Sequence, residues 1–140
     1  MSTITALRNY LAAYAGLESG APLWVNYLGA AGVQYSIVPV AGARVLETYL
    51  TGKTVREFPF ALQSAESTAD DLARLDSIGF YEAFADWLDS QSEAGILPDL
   101  GSGKTATRIQ ALTWGYLFEQ GDSQTGIYQI NCRLEFEQEP

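Results

Sequence analysis

The 140-residue sequence contains no histidine and a single cysteine, Cys132. The missing imidazole removes the commonest general base, proton shuttle and transition-metal ligand near neutral pH. One thiol cannot close an intramolecular disulfide, so a secreted cystine framework is excluded and cytoplasmic folding is the expectation. Basic residues are scarce too. Eight Lys and Arg stand against 17 Asp and Glu, a formal net charge of −9 with a pI near 4.3. That field repels phosphate backbones, and no cluster of cations reverses it locally, so specific nucleic-acid binding is not expected. No run reaches the roughly 18 apolar residues of a membrane-spanning helix, so no membrane partner is expected. The opening MSTITALRNYLAAY lacks the charged start and apolar centre of a signal peptide.

What remains is enough for one core. The hydrophobic fraction is 47% and the aromatic fraction 12%. A chain of this length buries roughly 70% of its unfolded surface, so a single domain over residues 1–140 is expected without a metal or disulfide staple.

The spacing of Ile4, Leu7, Leu11 and Tyr14 predicts an amphipathic helix over residues 3–17, capped by Ser2 or Thr3 and ending near Gly16. APLWVNYLGAAG and VQYSIVPVAG read as two strands joined by a Gly-Ala turn. ARVLETYLTG and KTVREFPFALQS form a hairpin about TGKT, with Phe58, Phe60 and Leu62 on one face and Glu57, Ala61 and Gln63 on the other. Pro59 lacks a backbone donor and places that strand at an edge or a bulge.

From Ser67 the period changes to that of a helix, opening with a Ser-x-x-Asp capping box. Gly79 is a point where it breaks or kinks, and Gly95 with Pro98 ends it. Its stripe of Phe80, Tyr81, Phe84, Trp87 and Leu88 is core by spacing. TRIQALTWGYLFEQ and TGIYQINCRLEFEQ then make a strand pair about GDSQ. In the second, Tyr128, Ile130, Cys132, Leu134 and Phe136 alternate with polar residues, as in a sheet covered on one side. The class is α+β: a mainly antiparallel sheet of about five to six strands with helices on one face.

GSGKT at residues 101–105 spells the end of a phosphate-binding loop. Such a loop, G-x-x-x-x-G-K-[ST], wraps phosphates with glycine N–H groups and opens a helix. Counting back from Gly103, Lys104 and Thr105 puts Pro98 where the first glycine belongs, and proline has no N–H. The segment also leaves a helix and enters a strand pattern. A nucleotide-binding enzyme built on Lys104 is therefore the disfavoured alternative.

Cys132, on an apolar strand face with no base nearby, reads as an inert hydrophobe. The acid pairs Asp70 with Asp71 and Asp86 with Asp89 lack a ligand-spaced loop and read as a solvated helix face. Trp24, Trp87 and Trp114 read as core or interface anchors, since a base-stacking platform needs a basic groove. No catalytic, cofactor or metal residue is assigned. The TGKT hairpin and the GSGKT and GDSQ connections are the candidate contact elements, because loops carry contacts more often than packed strands.

GFYEAFADWLDSQSEAGILPDL, GKTATRIQALTWGYLFE and YQINCRLEFEQE, in that order, resemble a family of small virion proteins from tailed phages and prophages. Upstream, VNYLG, YSIVPV and VREFPFAL fit the same pattern, so the resemblance runs from about Leu7 onward. Members are labelled minor capsid or tail-completion proteins, and their size and architecture are similar to those of tail terminators. The resemblance implies a homo-oligomeric, hexameric ring that caps the tail tube and joins it to head-completion or connector proteins. It implies location in the virion, at the tail or head–tail junction, after synthesis in the host cytoplasm. A head-side minor capsid or head-completion role is the alternative within the same class. An acidic surface suits a ring through which DNA passes without adhering. In this family the GKT belongs to a helix-to-strand connection, and no catalytic residue is carried over. Titration with labelled ATP and magnesium is expected to show no saturable binding, and Lys104→Ala no change; saturable binding lost in that variant would restore the nucleotide reading.

Overall fold

Two strands of 14 residues each carry the architecture of the computed structural model, which describes residues 2–17, 22–26, 34–121 and 124–140. The elements run α1 (Thr3–Leu11), β1 (Leu23–Val25), β2 (Gln34–Pro39), β3 (Val45–Thr48), β4 (Thr54–Ser67), α2 (Asp71–Ala94), β5 (Lys104–Ala111), β6 (Tyr116–Gln120) and β7 (Thr125–Gln138). The long strands β4 and β7 pair antiparallel from Thr54–Gln138 to Ser67–Thr125. On the outer side of β4 lie β2 and β3, one after the other, and on the outer side of β7 lie β5 and β6. The result is a seven-stranded, mostly antiparallel sheet in an α+β fold.

Alternation sorts the strand side chains. Phe60, Leu62, Ile130, Cys132 and Leu134 turn to one face and are buried there beneath Leu7 and Leu11 of α1 and Tyr81, Phe84 and Leu88 of α2. Each such side chain stabilises the fold by about 1.5–3 kcal/mol relative to exposure. Both helices cover this face. Tyr10 and Tyr14 of the first segment pack on Phe80, Phe84 and Trp87 of α2, with ring centroids 4.7–6.3 Å apart. The opposite face carries a hydrogen-bonded polar row: Trp24, Ser36, Gln63, Gln129 and Tyr116 are in register across five strands. In that row Gln63 donates to Gln129 at 2.9 Å, and Gln129 donates to the Tyr116 hydroxyl at 2.5 Å.

The TGKT hairpin, the terminal strand and the stripe on α2 form as the sequence predicts, while five details differ. First, β1 and β2 pair in parallel, not as a hairpin. The β1 strand is only three residues long; backbone bonds from Tyr35 to Pro22 and from Asn26 to Ile37 hold it, and Trp24 donates to Gln34 at 2.8 Å, a contact that composition does not signal. The Gly-Ala turn of residues 29–32 lies outside the described residues. Second, Pro59 sits in a central strand. Its carbonyl accepts from Val40, so its missing N–H lies on the side where β2 gives way to β3 and not toward β7.

Third, α2 is continuous through Gly79, beside which there is open space. Glycine costs about 1 kcal/mol there, less than the packing of Tyr81, Phe84 and Leu88 returns. Its N-cap is Asp70, which accepts from Ala73 at 2.8 Å, whereas Ser67 ends β4. Fourth, α1 stops at Leu11, after which tighter bonds (Ala13 to Tyr10, Tyr14 to Leu11) bring Tyr14 among the α2 aromatics. Fifth, TRIQALTWGYLFEQ is two strands. Gly115 lies so close to the Tyr81 ring that any Cβ would collide with it, and the chain breaks from strand geometry there. Outer strands β3, β5 and β6 each carry a register shift, at Leu46, Thr107 and Phe118.

Tyr81 brings a hydroxyl into the core. Its hydroxyl lies 2.6 Å from Ser64 Oγ and donates to the Tyr128 carbonyl at 3.1 Å. Burial pushes its phenol up, and burial does the same to the Cys132 thiol. Both groups are held neutral, so their contribution is complete at neutral pH and declines once the unfolded thiol and phenol ionise, above about 8.5 and about 10. Urea unfolding is expected to show this alkaline loss. Tyr81→Phe should cost about 1–3 kcal/mol at pH 7 by stranding buried polar partners, and should make the alkaline decline shallower.

Candidate assembly surfaces

The GSGKT segment is a turn. Gly101 and Gly103 take left-handed φ values of +88° and +79°, and Asp99 accepts from the Gly101 N–H at 3.0 Å. Lys104 is the first residue of β5, not of a helix. Its Nζ lies 3.4 Å from Thr3 Oγ1 and 5.9 Å from the Phe136 ring centroid, folded back on its own domain. The glycines therefore serve a reversal of the chain, as the displaced Pro98 had indicated.

The other singled-out residues disperse. Cys132 is buried beneath α2. Asp70 caps α2, Asp71 pairs with Arg74, and Asp86 and Asp89 are exposed on the helix. Among the described residues no group of three or more Cys, Asp or Glu side chains is placed to hold a metal ion. Trp87 joins the aromatic cluster, whereas Trp24 and Trp114 lie at the surface, Trp114 at 74% exposure.

Among the described residues exposed apolar side chains occur at several places, Ile96, Leu112 and Trp114 included, and two groups of them lie at opposite ends of the β4–β7 pair. One is the β3–β4 hairpin. Leu46, Tyr49 and Leu50 are exposed, and Leu50 at the tip is fully so, at 109%. The tip is held rather than loose: Tyr49 donates to the Lys53 carbonyl at 2.8 Å, and Lys53 Nζ pairs with Glu137 on β7 at 2.7 Å. That pairing raises the Lys53 pKa, chiefly through the hydrogen bond to the carboxylate.

The second surface is at the far end of the sheet. Leu72, Leu75 and Ile78 follow one another at intervals of three along the start of α2, Leu75 at 66% exposure. At 100° per residue, Leu75 lies roughly 160° around the helix from the centre of the buried face. Leu75 and Ile78, with Leu117 of β6 and Tyr128 of β7, line an open groove of about 460 Å³ whose rim holds Asp71 and Arg74. Farther along the same outward side, Glu82, Asp86, Asp89 and Glu93 form an exposed stripe at spacings of four, three and four. Like charges four apart oppose a helix by a few tenths of a kcal/mol per pair.

Sequence reasoning named the TGKT hairpin as a contact element but passed over Leu50, and it missed Leu72, Leu75 and Ile78. The signal for the latter was available: they fall on a different helical face from Tyr81, Phe84 and Leu88. Of GDSQ, residues 122 and 123 lie outside the described residues. No protein-family model matches the chain, and no curated protein matches it.

Leu50→Ser and Leu75→Ser are expected to shift folding stability by no more than about 0.5 kcal/mol, against about 2–5 kcal/mol for Leu62→Ala. Parallel urea titrations check this; a large cost at Leu50 or Leu75 would make them part of the fold rather than free surface.

Proposed function

We propose that this chain is a structural virion protein of a tailed phage or prophage, a tail-terminator-like subunit that self-associates into a ring at the tail end and meets the head-side connector. The observation that carries the reading is a pair of unburied apolar surfaces at opposite ends of the sheet. Monomeric soluble proteins rarely leave such patches, and head-to-tail contacts between unlike surfaces close into rings when the rotation permits. The ordered segments from VNYLG to YQINCRLEFEQE, similar to those of small virion proteins, point to the same class. The α+β sheet with helices on one face agrees with the architecture that the resemblance implies.

In this reading the carboxylate stripe of α2 faces the channel and repels passing DNA, while the chain works by shape and performs no turnover. The −9 charge motivates that orientation. Native mass spectrometry of the purified protein is expected to show one discrete closed oligomer, a hexamer on the likeness to terminators. A monomer at every accessible concentration would overturn self-assembly. Particles made without the gene should have overlong tails; full heads without tails would move the protein to the head side.

A further inference from the structure

We infer that the β3–β4 hairpin of one copy seats in the α2–β6 groove of the next, with Leu50 and Tyr49 entering between Leu75, Ile78 and Leu117. This rests on the self-assembly reading and adds the two surfaces that perform it. The first argument is complementarity of kind. The hairpin is a projection with a fully exposed leucine at its tip, and the groove is a depression lined by Leu75, Ile78, Leu117 and Tyr128. The tip is braced by Lys53 on Glu137, so little ordering remains to be done on docking.

The second argument is charge. From Arg44 to Arg56 the hairpin carries Arg44, Lys53 and Arg56 against Glu47; Lys53 is already paired with Glu137 and Glu139 of the terminal segment, which leaves the two arginines to face a partner. Between residues 66 and 103, Arg74 is the only base in a stretch rich in carboxylates. Pairing two grooves across a two-fold axis would press Asp70, Asp71 and Asp76 against their own copies, and like charges across an interface cost several kcal/mol. Setting a hairpin on a groove brings Arg44 and Arg56 toward those carboxylates instead. Charge therefore selects the unlike pairing over the like one.

The third argument is geometry. The hairpin lies at the Thr54–Gln138 end of the β4–β7 pair and the groove near the Ser64–Tyr128 end, which at strand rise places them roughly 33 Å apart. A subunit cannot satisfy its own groove across that span. Both surfaces of a copy are therefore open to other copies, and a ring uses each with a different neighbour.

The test uses the full chain in two arms. Leu50→Asp and Leu75→Asp are expected to fold as the wild type by circular dichroism and to lose the wild-type oligomer in native mass spectrometry. Leu50→Cys and Leu75→Cys proteins are then mixed in equal amounts with the oxidant diamide, which takes up the two electrons and protons released as the disulfide forms. Cys132 is buried and stays silent. The expected product is the mixed 50–75 dimer well above its statistical half share. Wild-type oligomers from either aspartate variant would overturn the surface assignment and leave self-assembly standing. A statistical mixture, or dominant 75–75 dimers, would overturn the unlike pairing. A wild-type protein that is monomeric throughout would overturn the self-assembly reading and this inference with it.

Discussion

The in-register pairing of β4 with β7 is the constraint from which the rest of the molecule follows. It fixes Phe60 opposite Cys132 and Leu62 opposite Ile130 on the helix-covered face, and Gln63 opposite Gln129 on the other. Because side chains alternate with a period of two, a slip of one residue would turn the glutamines toward the helices and the aromatics away from them. Every other strand except β1 borrows its position from one of these two. The helices lie where the apolar side of the pair directs them, and the length of the pair separates the two free apolar surfaces.

Much of this was legible in the residues. The alternation from Tyr128 to Phe136 defined β7, and the three-and-four spacing of the α2 aromatics defined the covering helix. What escaped was decided by contacts distant in sequence. Gly115 gives no local sign that it must clear Tyr81, 34 positions earlier, yet that approach divides β5 from β6. The parallel β1–β2 pair brings Trp24 to Gln34, ten positions on. Pro59 is harmless in mid-sheet because its neighbour changes at that point, a fact of topology that one strand cannot reveal.

The candidate site divides in the same way. Pro98 was sufficient to read GSGKT as a connection, because one missing N–H defeats a phosphate cradle whatever surrounds it. The free leucines were not legible as such. Hydrophobic content says that apolar residues exist, and periodicity says which share a face, but only the packed structure shows which face is left over. On α2 the residues Leu72, Leu75 and Ile78 are left over because Tyr81, Phe84 and Leu88 turn the other side of the helix to the sheet.

The register shifts in β3, β5 and β6 bear on how such a subunit stays well behaved at high local concentration. An outer strand with a regular ladder invites another strand to continue the sheet, the route to cross-β fibres. Here each outer strand of the antiparallel region has an extra residue that interrupts its rim of donors and acceptors. Backbone zippering from copy to copy is thereby blocked along those rims, and side-chain recognition is left as the way in. Copies of such a chain can lie close together without running on into fibrils.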